Sequence, residues 1–387
     1  ILNPVLSEDQ ICSICNDSSR DNTQVCVVEN TSQVVQIEEL GGFKGIYFVL
    51  GGYLSPIEGR GPNEIGLSEL NSKALSGEIK ELIFNNALNA MPEIKKICKS
   101  ESRLYDTIFI SNINYANALS LLFLRSINNL KIVLFERTPY EELDFHFNSF
   151  SRYIKNKIIK LLIKFLYKKA DLVVSNNKTT SAKLRSKLKI KTSTIYSQSI
   201  KRIKKFHVRK FKKKLKIIWI GRFSHEKSFL TLIKAINKIK KLDLKVNILG
   251  DGKDKNKYLN IIQDFGLKNK FLFRGNVRNV EKYLIKSDLF INTSVYEGFP
   301  NSVIQAINCG VPVIASRSYG GINEILSNGK FGTFFKTGNE GDLAKKIVDF
   351  YKYNWKFYKK AKLAHSSLKK YDFKNLHNKF SKILREI

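Results

Sequence analysis

Acidic residues and cysteines are both few in this sequence for its size. Asp and Glu number 34 against 67 Lys and Arg, a formal net charge of +33. That imbalance calls for a polyanionic partner or surface. Five cysteines, at 12, 15, 26, 98 and 309, are too sparse and odd in number for a disulfide framework, so a reducing compartment is expected. Cys12 and Cys15 form a Cys-x-x-Cys pair near Cys26, but no second Cys/His pair follows at zinc spacing. No metal site is therefore expected, only buried or incidental thiols. Long apolar runs are missing too: stretches such as 116–124 fall short of the roughly 18–20 residues that span a bilayer. There is no signal-peptide pattern, and the chain opens on Ile1 rather than Met, so a missing or processed start is expected. Short repeats and low-complexity tracts other than lysine enrichment are also lacking.

What is present is an ordinary globular mixture, 43% hydrophobic and 26% charged over 387 residues, a length that suits two domains. The charge is unevenly spread: residues 1–150 sum to −7, 151–214 to +21 and 215–387 to +19. From about residue 104 short β-rich runs alternate with helix-like segments. The runs 107–111, 131–135 and 171–175 come first, then 216–220, 245–249, 270–273, 288–291 and 311–315. That alternation implies parallel sheets covered on both faces. The polar, lysine-laden stretch 201–214 has no apolar period and reads as a linker. Residues 1–60 are the least legible part. Glycines at 41, 42, 45, 51 and 52 flank a possible strand over 46–50, whose role is open.

The segment 152–169 stands apart. Drawn as a helix, Ile154, Ile158, Leu161, Leu162 and Phe165 share one face, while Lys157, Lys160, Lys164 and Lys168 form a stripe roughly opposite. Such a helix suits a membrane interface, with apolar side chains at the acyl boundary and lysines on anionic headgroups. A domain-packing helix with a solvated basic face gives the same pattern, and the surrounding charge favours the membrane. No nucleic-acid partner is expected, because no helix-turn-helix, zinc-finger or RNP-like pattern accompanies the charge.

Two stretches carry chemistry. The run 216–220 leads into Gly221, Arg222 and, five residues later, Lys227, at the sheet edge where open α/β folds bind ligands. Arg can bridge phosphate oxygens bidentately and Lys supplies a point charge, which suits a diphosphate. Further on stands Glu297-Gly298-Phe299-Pro300-Asn301-Ser302, with a helix opening near Asn301. Unpaired amides and a positive dipole end make such a helix start a phosphate site. Glu297 can bond a sugar hydroxyl, and Gln305, about one turn in, a ribose.

These motifs, with Gly250-Asp251-Gly252, Phe273-Arg274-Gly275-Asn276-Val277 and Gly320-Gly321…Glu324, resemble glycosyltransferase family 4, retaining enzymes of GT-B fold. The likeness covers about 216–350 well and 104–196 more loosely. It implies an α/β architecture of two doubly wound, Rossmann-like domains facing a central cleft. Residues 1–200 would be the acceptor and membrane-facing domain, lacking its first strand, and 201–214 the linker. Residues 215–365 would be the nucleotide-sugar domain and 366–387 a helix crossing back. By the same resemblance Arg222, Lys227 and Glu297 are catalytic: the two cations neutralise the diphosphate leaving group without a metal, and Glu297 orients the donor sugar. Gly221, Asn276, Val277, Gly298, Phe299, Pro300, Asn301, Ser302 and Gln305 would bind the donor.

The implied activity moves a hexose or N-acetylhexosamine from a nucleotide-sugar, a UDP-sugar by preference, to a lipid-linked oligosaccharide, lipopolysaccharide or capsule acceptor. It needs no cofactor, and the chain would sit peripherally on the inner face of the cytoplasmic membrane. Two departures stand out. Gln305 occupies the second Glu position of the Glu-x7-Glu motif, and Arg137 stands where many members place a His; the N-terminal glycine-rich donor loop is not recognisable. The competing reading is a non-catalytic, membrane-associated GT-B relative acting as a binding or scaffold protein.

Overall fold

The structure is a computed structural model that describes residues 17–28, 34, 38, 45–49, 81–83, 91–104, 106–145, 150–197, 199–200, 202–208 and 214–387. The Cys12/Cys15 pair, the glycines at 41, 42, 51 and 52, and linker residues 201 and 209–213 lie outside the described residues. Two compact units divide the chain, one of residues 1–136 with 158–173, the other of 137–157 with 174–387.

In the first unit, parallel strands Gly45–Val49, Asp21–Val28 and Glu81–Ile83 form a sheet in that order. Arg20 clamps Glu38 through both guanidinium nitrogens at 2.9 and 2.5 Å, and the Tyr47 hydroxyl donates to the same carboxylate at 2.7 Å. Strands Thr107–Asn112 and Leu130–Glu136 pair in parallel, with helix Asn114–Leu124 between them in sequence. Strand Leu172–Ser175 follows, its lead-in residue Asp171 donating its amide to the Ile132 carbonyl.

The second unit holds a six-stranded parallel sheet. Its spatial order is Phe271–Phe273, Leu244–Leu249, Leu215–Ile220, Leu289–Asn292, Val313–Ser316 and Thr333–Phe335. Numbered along the chain this is 3-2-1-4-5-6, the doubly wound order, which reverses direction between Leu215–Ile220 and Leu289–Asn292. The strands read as near-continuous apolar runs because both faces are covered. Along Leu215–Ile220, Leu215, Ile217 and Trp219 enter one core with Phe229, Ile233 and Phe350. Ile218 enters the other with Phe290, Val303 and Ile307. The strands expected from sequence over 216–220, 245–249, 270–273, 288–291 and 311–315 all form, their ends shifted by at most two residues. Thr333–Phe335 is an additional edge strand.

Residues 202–208 of the stretch read as a linker are mostly exposed but make specific contacts. Asn308 receives the Lys204 amide at 3.0 Å and donates to the Arg202 carbonyl at 3.1 Å, and Phe206 meets His365 edge-on at 5.4 Å. A long helix, Glu340–Ser366, is capped by Asn339, whose side chain accepts the Asp342 amide at 2.8 Å, and kinks at Tyr353, where φ is −131°. Helix Phe373–Arg385 ends the chain.

Candidate active site at the sheet reversal

The reversal of strand order splays the loops that follow Leu215–Ile220 and Leu289–Asn292, and the groups singled out from sequence converge there. Lys227 Nζ reaches Glu297 Oε1 at 2.5 Å, and the two side chains are only 20% and 10% exposed. Each is held from behind. The Trp219 indole donates to Thr293 Oγ1 at 3.0 Å, and that hydroxyl donates to the Lys227 carbonyl at 2.6 Å. The Glu297 oxygen that meets Lys227 also accepts from Ser294 Oγ at 2.7 Å and Asn292 Nδ2 at 3.3 Å. The Val295 amide donates to the Glu226 carbonyl at 2.7 Å, tying the two loops together.

Arg222, by contrast, projects with its side chain 80% exposed and leans on Glu226 at 3.5 Å. Its neighbour Phe223 is the anchor: 1% exposed and stacked near-parallel on Trp219 at 5.8 Å, it pins the loop to the core. Glu226 also accepts from Ser224 Oγ at 2.5 Å. An exposed guanidinium on a buried footing is free to follow an incoming anion, whereas the Lys227 ammonium is already engaged.

Glycines let these loops approach. Gly250 has φ +127°, and a Cβ there would lie 2.1 Å from the Gly221 carbonyl oxygen. Gly250 in turn donates its amide to the Gly275 carbonyl at 2.8 Å, so Gly221, Gly250 and Gly275 line three adjacent strand ends. Asn276, beside them, is exposed, while Val277 packs partly into the core. Gly298 is tighter still, since a Cβ would meet the Arg137 carbonyl oxygen at 1.5 Å. Asn176 donates to that same carbonyl at 2.8 Å, and Asn177 donates to the Gly298 carbonyl at 2.9 Å. Arg137, the residue that departs from the family pattern, thus touches the motif through its backbone.

Phe299 and Pro300 are buried; Phe299 packs on Tyr196 and Tyr371 at 5.7 and 5.4 Å. Their side chains support the loop, so any contact they make with a ligand runs through the backbone. Helix Asn301–Asn308 follows, with Pro300 at its cap position and no side-chain cap, leaving its first amides to a ligand or solvent. Asn301 accepts from Ser199 Oγ at 2.8 Å, Ser302 and Gln305 are half-buried, and Gln305 sits one turn in. Gly320 and Gly321 close against this loop: strand Tyr319–Gly320 pairs with Tyr296–Glu297, and the Gly321 amide donates to the Gly298 carbonyl at 3.0 Å. Glu324 accepts the Lys178 amide at 2.8 Å and pairs with the Tyr196 hydroxyl.

Beside the Glu297 loop, Tyr296 stacks obliquely on Phe145 at 5.2 Å. Burial pushes the Glu142 carboxyl up, opposed by a hydrogen bond from Thr138 and the charge of Arg152. Burial and the charges of Glu142 and Glu226 push the Tyr296 hydroxyl to about 12. Sequence alone assigned no role to Asn292, Ser294, Asn176 or Asn177, and took Glu226 only as part of the Gly221-Arg222…Glu226-Lys227 stretch. Only the polar run Asn292-Thr293-Ser294 after an apolar strand signalled any of them.

The lysines assigned to a membrane face lie on helix Phe150–Leu166 and the 3-10 turn Tyr167–Lys169. Here the structure corrects the expected geometry. Ile154, Ile158, Leu161 and Phe165 are 43–62% exposed, and Phe150 is 76% exposed. The arc opposite them is buried through Asn156, Ile159, Ile163 and Leu166. Lys157, Lys164 and Lys168 are exposed and Lys160 is half-exposed, so the lysines flank the apolar row rather than oppose it. Leu162 belongs to the half-buried margin. Among the described residues no helix is long and apolar enough to cross a membrane.

The protein is α/β with parallel sheets, its structural neighbours are GT-B glycosyltransferases, and residues 200–365 match the family model Glycosyl transferases group 1. Over 258 residues the chain is 29% identical to a Campylobacter jejuni N-acetylgalactosamine-N,N'-diacetylbacillosaminyl-diphospho-undecaprenol 4-alpha-N-acetylgalactosaminyltransferase, a match covering 64% of this chain and 67% of that one. Among solved structures, Anabaena HepE in complex with UDP superposes with TM-score 0.66 at 16% identity, covering 94% of this chain and 100% of that one. Sucrose-phosphate synthase from Thermosynechococcus elongatus superposes with TM-score 0.70 at 14% identity, covering 94% and 98%. The N-terminal part has a different likeness. Residues 23–86 match a Toprim domain model. The chain is also 48% identical over 87 residues to Recombination protein RecR of Xylella fastidiosa, covering 22% of this chain and 43% of that one. The chain therefore spans less than half the length of that relative.

Proposed function

We propose that this chain is a retaining glycosyltransferase that moves a hexose or N-acetylhexosamine from a UDP-sugar to a lipid-linked oligosaccharide or other membrane glycan acceptor. The observation that carries the reading is the Lys227–Glu297 pair at the sheet reversal, next to the opening amides of helix Asn301–Asn308. When a donor arrives, Lys227 turns from Glu297 to the diphosphate, and Arg222 closes on the same group from solvent. Freed Glu297, steadied by Ser294 and Asn292, accepts hydrogen bonds from the donor sugar hydroxyls. The two cations stabilise the charge that develops on the leaving diphosphate, which removes the need for a metal. Front-face attack lets a donor phosphate oxygen take the acceptor proton, so no carboxylate pair of the glycosidase kind is required.

The acceptor class is supported by the lipid-diphosphate substrate in the Campylobacter relative's name and by the exposed apolar row of helix Phe150–Leu166 with its flanking lysines. That row would rest on the inner face of the cytoplasmic membrane, where anionic headgroups attract the +21 stretch. Gln305 in place of the second Glu replaces a charged ribose contact with a neutral one, which weakens donor binding without removing it.

The test is calorimetry of UDP, GDP, ADP and their sugar conjugates against wild type and Arg222→Ala, followed by a transfer assay to a polyprenyl-diphosphate glycan. UDP-selective binding that weakens in the variant, with transfer and retained anomeric configuration, is expected. Binding without transfer or donor hydrolysis by the full-length chain would support the non-catalytic reading. Absence of nucleotide binding would overturn the donor site itself.

A further inference from the structure

Helix Glu340–Ser366 carries a surface that none of the chemistry above uses. From 350 to 371 the sequence holds seven lysines and no Asp, Glu or Arg. At the kink, Tyr353 is 48% exposed, Trp355 63% and Leu363 50%. The helical period puts Trp355, Lys359, Lys362 and Leu363 on one face, and Lys352, Lys356, Lys359 and Lys362 are all exposed. The opposite face is buried through Phe357, Tyr358, Ala361 and Ala364. Lys356 Nζ lies 5.1 Å from the Tyr353 ring centroid and 5.5 Å from that of Trp355, so one ammonium bridges two exposed aromatic faces.

We infer that the kinked face of helix Glu340–Ser366, built on Tyr353, Trp355 and Leu363 with Lys352, Lys356, Lys359 and Lys362, is a second contact with an anionic lipid bilayer. Trp and Tyr settle at the headgroup level because their rings are apolar and their tips polar. Lysines beside them meet anionic headgroups while their stems cover apolar surface. A protein partner would need acidic groups against each lysine, whereas a bilayer supplies mobile negative charge and an apolar margin to the whole face. The inference goes beyond the proposed function, because it needs neither the donor site nor helix Phe150–Leu166.

The chain carries its own reporter. Of two tryptophans, Trp219 is 2% exposed in the core and Trp355 is on this face. Emission is followed as phosphatidylcholine vesicles, with and without phosphatidylglycerol and with brominated acyl chains, are added to the full-length protein. The expected result is a blue shift and bromine quenching only with phosphatidylglycerol. The response should be absent in Trp355→Phe, whose remaining Trp219 stays blue and unquenched. Replacing Lys356 and Lys359 by Gln should weaken vesicle binding by about five-fold per lysine. Should Trp355→Phe fold poorly by circular dichroism, the lysine variant with intact Trp355 decides. Vesicle binding with no change at Trp355 would overturn the inference while leaving the helix 150–166 reading standing. Persistence of the Trp355 response in Ile158→Glu/Leu161→Glu would separate the two contacts. A Trp355 response to duplex DNA but not to vesicles would also overturn it.

Discussion

The loops at the sheet reversal and the helix Phe150–Leu166 differ in how their polar and apolar groups are used. At the reversal nearly every polar side chain has a partner: Lys227 has Glu297, Glu297 has Ser294 and Asn292, and Gly298 is gripped between Arg137 and Asn177. On the helix the arrangement is inverted, with large apolar groups left in water and lysines beside them. Fixed polar geometry serves chemistry, where small displacements cost rate. An unsatisfied apolar row serves contact with something outside the chain. The two regions should therefore respond to mutation in opposite ways.

The sharpest break is expected at Lys227. Replacing it with Ala should lower kcat/KM for transfer by about 10²–10³; unfolding should stay cooperative at a lowered midpoint, because Glu297 loses its cation but keeps Ser294 and Asn292. Steady-state kinetics with parallel thermal melts read both. Comparable turnover in that variant would remove the comparison's first half. Next comes Gly250→Ala, which sets a Cβ 2.1 Å from a backbone oxygen at positive φ. It should cost about 2–3 kcal/mol of stability, measured by urea unfolding. A loss well under 1 kcal/mol would mean the three strand ends are not held together as described.

On the helix, Ile158→Glu with Leu161→Glu should do the reverse. Stability should stay within about 0.5 kcal/mol, as for exposed sites generally, while co-sedimentation with anionic vesicles falls by at least ten-fold, from about 25 cal/mol per Å² of apolar area withdrawn from the bilayer. An unfolded variant would show that the row packs internally.

The smallest effect concerns His365. Burial lowers its pKa below the ordinary 6.5, against a hydrogen bond with Lys204 that raises it. Above pH 6.5 the ring is neutral in both folded and unfolded chains, so it contributes no pH dependence. As pH falls from 6.5 through the lowered value, the unfolded chain takes up the proton first and stability is lost. Urea midpoints between neutral and mildly acidic pH should fall in wild type and fall less in His365→Asn. Parallel slopes would assign the acid sensitivity to other groups.

The strands of the second unit were legible because a parallel strand buried on both faces must be a continuous apolar run, as in Ile217-Ile218-Trp219 and Leu289-Phe290-Ile291. Arg222, Lys227 and Glu297 were singled out as a family pattern. Their pairing was not, since Lys227 and Glu297 lie 70 residues apart and only the strand order brings them together. Ser294 carried no signal of its own, because a side chain's partner across a loop leaves no local trace. For helix Phe150–Leu166 the expected apolar row is exposed, but the lysines lie beside it rather than opposite. Periodicity tells which residues share a side but not which side the rest of the chain covers. The stretch 202–208 lacked an apolar period and stays mostly exposed, yet it is tethered through Asn308 and His365. The likeness of residues 23–86 to a Toprim domain went unread because short glycine-broken runs carry little helix or strand period.

The Lys227–Glu297 bridge has a bearing on selectivity. The two charges pair with each other, so each is compensated. A free phosphate could draw off the lysine but would leave the carboxylate stranded and half-buried, and a free sugar could occupy the carboxylate but would strand the ammonium. Only a molecule that joins an anion to a polyol satisfies both at once. On the proposed function, the bridge would act as a two-key lock, favouring an intact sugar phosphate over either of its fragments.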